Sequence, residues 1–227
     1  MSQKNIAILV FENADVLDVF GPLEVFVLAH YKCDLISVTN QNSLTLYGGV
    51  SINGSISTIS DNYDLLIIPG GNGLNSFLKN HVSLNKIKNY INSEKFKTVA
   101  SICAGALILD AIGFLDEKMA VTHWASKEVL KNNKSIKLVD ARVVKDKNLY
   151  TSAGITAGID LALQVVEDWE GIEKRKEIEL LMEYKKSTNS FNSLFNQGYD
   201  NEKENIKTRL KNMIEERKQS IQLYRTK

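Results

Sequence analysis

The chain of 227 residues contains little cysteine, almost no net charge and no long apolar run. Its two cysteines, Cys33 and Cys103, lack a metal-ligand spacing such as C-x-x-C, and such sparse usage is typical of a reducing compartment. The 28 lysines and arginines balance 27 aspartates and glutamates, so the net charge of +1 predicts no nucleic-acid partner. No segment reaches the ~18 consecutive apolar residues of a membrane helix, and the first segment does not resemble a signal peptide. We therefore expect a cytoplasmic protein that binds neither nucleic acid nor membrane.

The segments that are present alternate between two hydrophobic periodicities. Short β-branched apolar runs predict strands, and apolar residues at helical spacing predict helices. The predicted strands are residues 5–11, 34–39, 44–59 as short strands or a hairpin, 63–73 with its glycine-rich turn, 97–101, 119–124 as strand or loop, and 137–154 as a pair. The predicted helices are residues 15–31, two within 74–94, one from Cys103 to Gly113, 126–133, 156–169, 173–184 and 202–224.

Strands that alternate with helices predict an α/β fold, in which a mostly parallel sheet is covered by helices on both faces. The turns at the carboxyl ends of parallel strands meet in a crevice that commonly holds the ligand. Cys103 and the pair Gly70-Gly71 each follow a predicted strand, so we expect them to meet at this crevice. In the first helix, Asp15 is the expected N-cap, and Gly21-Pro22 is expected to kink or interrupt the helix.

Cys103 lies where one apolar segment passes directly into another, in the stretch VASICAGALILDAIG. One interpretation is packing, because a free cysteine behaves as a small buried hydrophobe. The other is a nucleophile on a strained strand-to-helix turn, where the helix N-terminus lowers the pKa of the thiol and backbone N–H groups stabilise an oxyanion. Cys33 has no glycine turn after it, so packing is the preferred interpretation there.

Five motifs occur in one order: Asp18 ahead of Gly21-Pro22, the turn Pro69-Gly70-Gly71, SICAGALIL, VTHWAS and GITAGIDLAL. Together they resemble the PfpI/ThiJ superfamily, the branch related to class I glutamine amidotransferases. The resemblance runs from about residue 4 to about residue 195 and implies a flavodoxin-like sandwich, a cysteine on a nucleophile elbow and a homodimer. We accordingly expect a PfpI/ThiJ-like domain at residues 1–195. A C-terminal helical extension at 196–227 is expected to pack on that domain or on a partner subunit.

The resemblance also implies roles for individual residues. Cys103 matches the nucleophile, and Asp18 matches the acidic residue whose protonated carboxyl donates a hydrogen bond to the thiolate and stores a proton. Without the resemblance, Asp18 would be interpreted as support for the helix N-terminus. The backbone N–H groups of Gly71 and Ala104 match the donors to a developing negative charge.

The other implied positions line the pocket: Gly70, His123, Trp124, Ile155 and Thr156. Two roles stay open for His123, as the base of Cys–His chemistry or as a pocket wall beside Trp124. Asp160, one turn later on an amphipathic helix, is expected to be solvated or to cap that helix.

Within the superfamily the pattern is most similar to the isonitrile hydratase branch. The resemblance therefore implies a hydro-lyase that adds water to a small isonitrile, gives an N-substituted formamide, and needs neither cofactor nor metal. That branch typically has threonine after the cysteine, whereas Ala104 lacks the side-chain donor that would assist the site. Two alternatives stay open: other cysteine-dependent chemistry of glyoxalase, amidase or reactive-carbonyl type, and a non-catalytic sensor that acts through oxidation of Cys103.

Overall fold

Seven strands form the central sheet of a computed structural model that describes residues 3–39, 43–53, 56–57, 62–185 and 199–226. The strands in chain order are β1 (Asn5–Leu9), β2 (Lys32–Ile36), β3 (Ser43–Thr45), β4 (Ser51–Asn53), β5 (Ile56–Ser57), β6 (Tyr63–Ile68), β7 (Phe96–Ser101), β8 (Met119–Ala120), β9 (Lys137–Leu138), β10 (Val143–Asp146) and β11 (Leu149–Ser152). The sheet has the order β10-β11-β7-β6-β1-β2-β5, and its neighbours are parallel except for β10 and β11. Two short ladders, β3–β4 and β8–β9, lie outside it.

Helices cover this sheet on both faces. They are α1 (Val16–Leu28), α2 (Leu74–Lys79), α3 (His81–Asn92), α4 (Ala106–Ala111), α5 (Lys127–Leu130), α6 (Ala157–Glu170), α7 (Ile172–Leu181) and α8 (Asp200–Arg225), with 3-10 turns at Cys103–Gly105 and Trp124–Ser126. Helix α6 packs against α1 and α7, whereas α8 packs against α2, α4 and α5. The predicted α/β class and the flavodoxin-like sandwich are confirmed.

The middle of the sheet is apolar along whole strands rather than on alternate residues. Every residue of β6 is buried, as are the last four residues of β1. Strands buried on both faces are typical of parallel sheets, which explains why continuous apolar runs marked them in the sequence. Because β6 and β7 are parallel neighbours, the turns that follow Ile68 and Ser101 lie side by side at one edge of the sheet.

Helix α1 continues through Pro22, so the helix is not interrupted there. A proline removes one intrahelical hydrogen bond, and packing from outside can compensate for that loss. A Cβ built on Gly21 would lie 3.2 Å from Ile159 of α6, which shows how closely the two helices approach. Asp15 occupies the predicted N-cap position, but its side chain makes no capping hydrogen bond.

Helix α8 packs against helices of its own chain. Its buried residues are both polar and apolar: Arg217, Ser220 and Ile221. The domain boundary predicted at residue 195 falls within 186–198, outside the described residues. Across the described ranges, we find no helix with the length and apolar character needed to span a bilayer.

Candidate active site

Cys103 sits on the sharp turn between β7 and α4. Its φ is 55°, a left-handed conformation that is uncommon for a residue with a side chain. The neighbouring turn after β6 approaches so closely that a Cβ on Gly70 would lie 2.7 Å from the Ala104 nitrogen and 3.1 Å from the Cys103 Cβ. This geometry confirms the predicted strand-to-helix elbow.

The segment after β8 holds the elbow in place. Thr122 Oγ1 donates to the carbonyl oxygen of Cys103 at 2.7 Å, and the His123 N–H donates to the same oxygen at 3.2 Å. Thr122 is fully buried, so this hydrogen bond is protected from competing water. Thr122 was not among the predicted site residues although it lies within VTHWAS, because the sequence does not show that its hydroxyl reaches a partner 19 residues away.

Asp18, in the first turn of α1, is fully buried beside the elbow. Its Oδ2 accepts a hydrogen bond from the Gly70 N–H at 2.8 Å, whereas Oδ1 has no hydrogen-bond partner among the described residues. Burial raises the pKa of Asp18 to about 8, since one backbone N–H only partly offsets the loss of water around the carboxylate. Asp18 therefore carries a proton at neutral pH.

Asp15, Asp18 and Cys103 form an acidic cluster, in which one carboxylate oxygen from each aspartate and the Cys103 Sγ lie within 4.8 Å of one another. Burial, and after it the charges of Asp18 and Asp15, raise the pKa of the Cys103 thiol. A hydrogen bond from the Ala104 N–H and the charge of Arg217 oppose this shift. The sequence had predicted a thiol acidified by the helix N-terminus. That prediction was wrong for the resting site, because desolvation of the buried sulfur dominates.

The acidic cluster also contains a donor set that can hold a divalent cation, since thiolate and carboxylate are both metal ligands. Two of its atoms, however, already accept backbone N–H groups: Asp18 Oδ2 from Gly70, and Cys103 Sγ from Ala104. Burial raises the pKa of both Asp18 and Cys103, so a cation would have to displace the protons that these groups hold. The arrangement fits the sharing of protons better than the binding of a metal.

His123 is a neutral imidazole at physiological pH. Burial, and then the charge of Arg217, lower the pKa of His123 to about 4. Its Nδ1 accepts from the Ala125 N–H at 3.3 Å, so the proton of the neutral ring lies on Nε2. A Cβ on Gly154 would lie 3.2 Å from the His123 ring. The ring of Trp124 is centred 5.6 Å from that of His123, and Trp124 also lines a cavity of about 380 Å³ between α5 and α8.

Ile155 and Thr156 lie on an exposed rim where α6 begins, with Ile155 39% exposed. Thr156 Oγ1 accepts from Arg142 Nη2 at 2.9 Å, and Arg142 Nε also forms an ion pair with Asp160. Asp160 is 1% exposed and does not cap α6, so the expectation that it is solvated or capping was wrong. Arg142 was not among the predicted site residues, because nothing in its own segment marks a partner on another element.

Arg217 reaches the site from α8 and was also missed. Its Nη2 donates to the Gly71 carbonyl oxygen at 3.2 Å, its Nε to Asn75 Oδ1 at 2.7 Å, and its Nη1 to Ser126 Oγ at 3.4 Å. Only 4% of Arg217 is exposed. Residue 217 belongs to a charged amphipathic helix far along the chain, and periodicity alone cannot tell which of its cations turns inward.

The comparison with known sequences agrees with the motifs. The model of the DJ-1/PfpI family matches residues 4–168. Isonitrile hydratase of Pseudomonas putida is 34% identical over 187 residues, which cover 79% of this chain and 78% of that protein. The glutathione-independent glyoxalase DJR-1.2 of Caenorhabditis elegans is 31% identical over 112 residues, which cover 49% of this chain and 58% of that protein.

Solved structures show the same fold. A ThiJ/PfpI family protein from Pseudomonas syringae superposes with a TM-score of 0.85 at 24% identity, covering 97% of this chain and 91% of that one. Drosophila melanogaster DJ-1beta superposes with a TM-score of 0.72 at 22% identity, covering 82% of this chain and 100% of that one. At these identities the structural likeness concerns the fold.

Proposed function

The chain belongs to the DJ-1/PfpI family, and we propose that it is a hydro-lyase that converts isonitriles to N-substituted formamides. The similarity to isonitrile hydratase of Pseudomonas putida supports this substrate class. The observation that carries the proposal is the proximity of two buried acids. The Asp18 carboxyl, whose pKa burial raises to about 8, lies within 4.8 Å of the Cys103 sulfur.

The first step adds the thiol to the terminal carbon of the isonitrile. A protonated carboxyl can release a proton from one oxygen while it accepts a proton at the other. Asp18 therefore gives its proton to the isonitrile carbon and takes the proton of the Cys103 thiol. The S–H bond breaks, the S–C and C–H bonds form, and Asp18 ends protonated beside a thioimidate.

The second step uses water to resolve the thioimidate. Water attacks the same carbon while Asp18 passes a proton to the nitrogen and accepts one from the water. The resulting tetrahedral adduct then loses its C–S bond, and Asp18 returns the hydroxyl proton to the sulfur. The products are the formamide and the Cys103 thiol, so the net reaction is addition of one water molecule and requires no redox cofactor.

The remaining residues serve this chemistry in supporting roles. In this proposal the N–H groups of Gly71 and Ala104 would donate to the developing negative charge, as oxyanion donors do in acyl transfer. His123 serves as a wall of the pocket rather than as the base, because its Nδ1 lone pair is engaged by the Ala125 N–H. Ile155 and Thr156 would close the rim around a small substrate.

A second candidate is a cofactor-independent glyoxalase. The observation that favours it is Ala104, which has no hydroxyl to assist isonitrile hydration, together with the similarity to the Caenorhabditis elegans glyoxalase. Consumption of methylglyoxal without turnover of isonitriles would replace the first proposal by this one.

The direct test is incubation of the purified protein with a simple alkyl isonitrile, followed by detection of the formamide by nuclear magnetic resonance. We expect turnover by the wild type and by Cys33→Ala, and none by Cys103→Ala. Cys33 is the matched control, since burial raises its pKa to about 12 and it is not a member of the acidic cluster. Absence of formamide, or undiminished turnover by Cys103→Ala, would refute the proposal.

The family resemblance also leads us to propose a homodimer in the cytoplasm. Sedimentation velocity at micromolar concentration tests the assembly, for which a monomer is the contrary result.

A further inference from the structure

Arg217 is a buried cation whose hydrogen-bond partners carry no charge. The oxygen atoms that accept from its guanidinium belong to Gly71, Asn75 and Ser126. Within the described ranges, the other buried arginine, Arg175, pairs with glutamates, whereas Arg217 has no salt bridge to a carboxylate. A buried charge is costly unless an opposite charge compensates it, so the position of Arg217 requires a negative charge nearby.

Two members of the acidic cluster, Asp15 and Cys103, interact electrostatically with Arg217. Its charge lowers the pKa of both Cys103 and Asp15 against the effect of burial, and those two groups in turn favour its own protonated form. The titratable groups that face the sulfur are thus Asp15 and Asp18 from α1, and Arg217 from α8. His123, from the segment after β8, is kept neutral in part by the same guanidinium.

The charge on the Cys103 sulfur changes during the reaction, and this change determines what Arg217 can do there. While Cys103 and Asp18 are both protonated, the buried cation faces only Asp15. As sulfur loses its proton during attack, it adds a second negative charge near Arg217, so the interaction is stronger in the transition state than in the resting site.

We propose that Arg217 is a positioning residue of the Cys103 site, where its fixed positive charge stabilises the thiolate and its bond to Gly71 O orients the adjacent turn. The inference rests on Cys103 being the reactive thiol of the proposed function, but not on isonitriles being the substrate. With this role for Arg217, helix α8 is part of the site, although the match to the family model ends at residue 168.

The test is the rate of Cys103 alkylation by iodoacetamide as a function of pH, read by mass spectrometry of the Cys103 peptide. In Arg217→Gln we expect the alkylation midpoint to move to higher pH and the rate at pH 7 to fall roughly tenfold. Arg217→Lys keeps the charge and loses the planar fork, so most of the rate should return. Alkylation needs no substrate, so the result is independent of whether isonitriles are hydrated.

Arg225→Gln is the matched control, because Arg225 lies on the same helix and binds Asp110 and Asp116 instead. It should leave the alkylation profile unchanged even if it lowers the melting temperature. If Arg217→Gln does not fold, Asn75→Asp tests the same charge by placing a carboxylate against the guanidinium, and the midpoint should again move to higher pH. A wild-type profile in a folded Arg217→Gln or Asn75→Asp protein, or an Arg217→Lys profile as shifted as that of Arg217→Gln, would overturn the proposal.

Discussion

Asp18 and Cys103 hold their protons in the same buried space, and this makes turnover depend on pH. The relay needs protonated Asp18, whose pKa is about 8, so kcat for isonitrile hydration should be level near neutrality and decline above about pH 8. Asp18→Asn cannot relay protons and should lower kcat by at least about 100-fold. Initial rates of formamide formation from about pH 6 to about pH 9.5 measure both. A wild-type rate that keeps rising through about pH 9 would mean that thiolate formation, not the acid form of Asp18, limits the reaction.

The variant Asp18→Asn also distinguishes a role of Asp18 in proton transfer from a role in holding the elbow in shape. Asparagine can still accept the Gly70 N–H, so the fold of the elbow should persist. Above about pH 8 wild-type Asp18 carries a negative charge that raises the pKa of Cys103, and Asp18→Asn removes that charge. Iodoacetamide should therefore modify Cys103 faster in the variant than in the wild type. Loss of turnover together with faster alkylation is the combination that a simple structural role for Asp18 would not produce.

Single residues were identified from the sequence only where a motif marked them. Cys103 stood at a junction of two apolar runs, and the resemblance pointed to Asp18. Arg217 lay in no motif, and Thr122 lay within VTHWAS without an assigned role, since their partners Gly71 and Cys103 are 146 and 19 residues away. A side chain that acts through a distant contact is encoded in the tertiary fold and not in its own neighbourhood.

At the scale of elements, the site depends on how closely two turns approach. Gly70→Ala would place a Cβ 2.7 Å from the Ala104 nitrogen, so the turn after β6 must move away from the elbow. We expect unfolding free energy to fall by about 2 kcal/mol and Cys103 alkylation to slow. Gly21→Ala is the comparison, because its Cβ would also make a tight contact, 3.2 Å from the Ile159 side chain, but far from the elbow; it should lower stability without slowing Cys103 alkylation. Urea denaturation and alkylation rates test the pair. Equal effects of the two substitutions would show that close approach of the turns is unimportant.

Most elements could be predicted because their signals are local. The continuous apolar run of β6 and the amphipathic spacing of α6 each reflect the burial that the structure gives them. The continuation of α1 through Pro22 could not be predicted in the same way. Proline removes a hydrogen bond locally, whereas the tight packing of Gly21 against α6 holds the helix together from a distance.

At the scale of the whole molecule, two buried groups make the unfolding free energy change with pH in opposite directions. Asp18 has a folded-state pKa of about 8, above the ~3.9 of an unfolded aspartate, so the folded chain binds more protons and stability falls as pH rises between these values. His123 has a folded-state pKa of about 4, below the ~6.5 of an unfolded histidine, so stability rises with pH between those values. The two effects oppose each other up to about pH 6.5, and only that of Asp18 persists above it.

The unfolding free energy should therefore decline by about 1 to 2 kcal/mol between about pH 6.5 and about pH 8, a range in which many proteins are near their most stable. Asp18→Asn should abolish this decline, and His123→Asn, whose amide oxygen can still accept the Ala125 N–H, should make it begin near pH 4. Urea denaturation at fixed pH values measures all three proteins. An unchanged decline in Asp18→Asn would place the titrating group elsewhere. If the decline belongs to Asp18, the proposed proton relay costs the fold increasing stability up to about pH 8, and the decline ends above that pH, where the folded carboxyl also loses its proton.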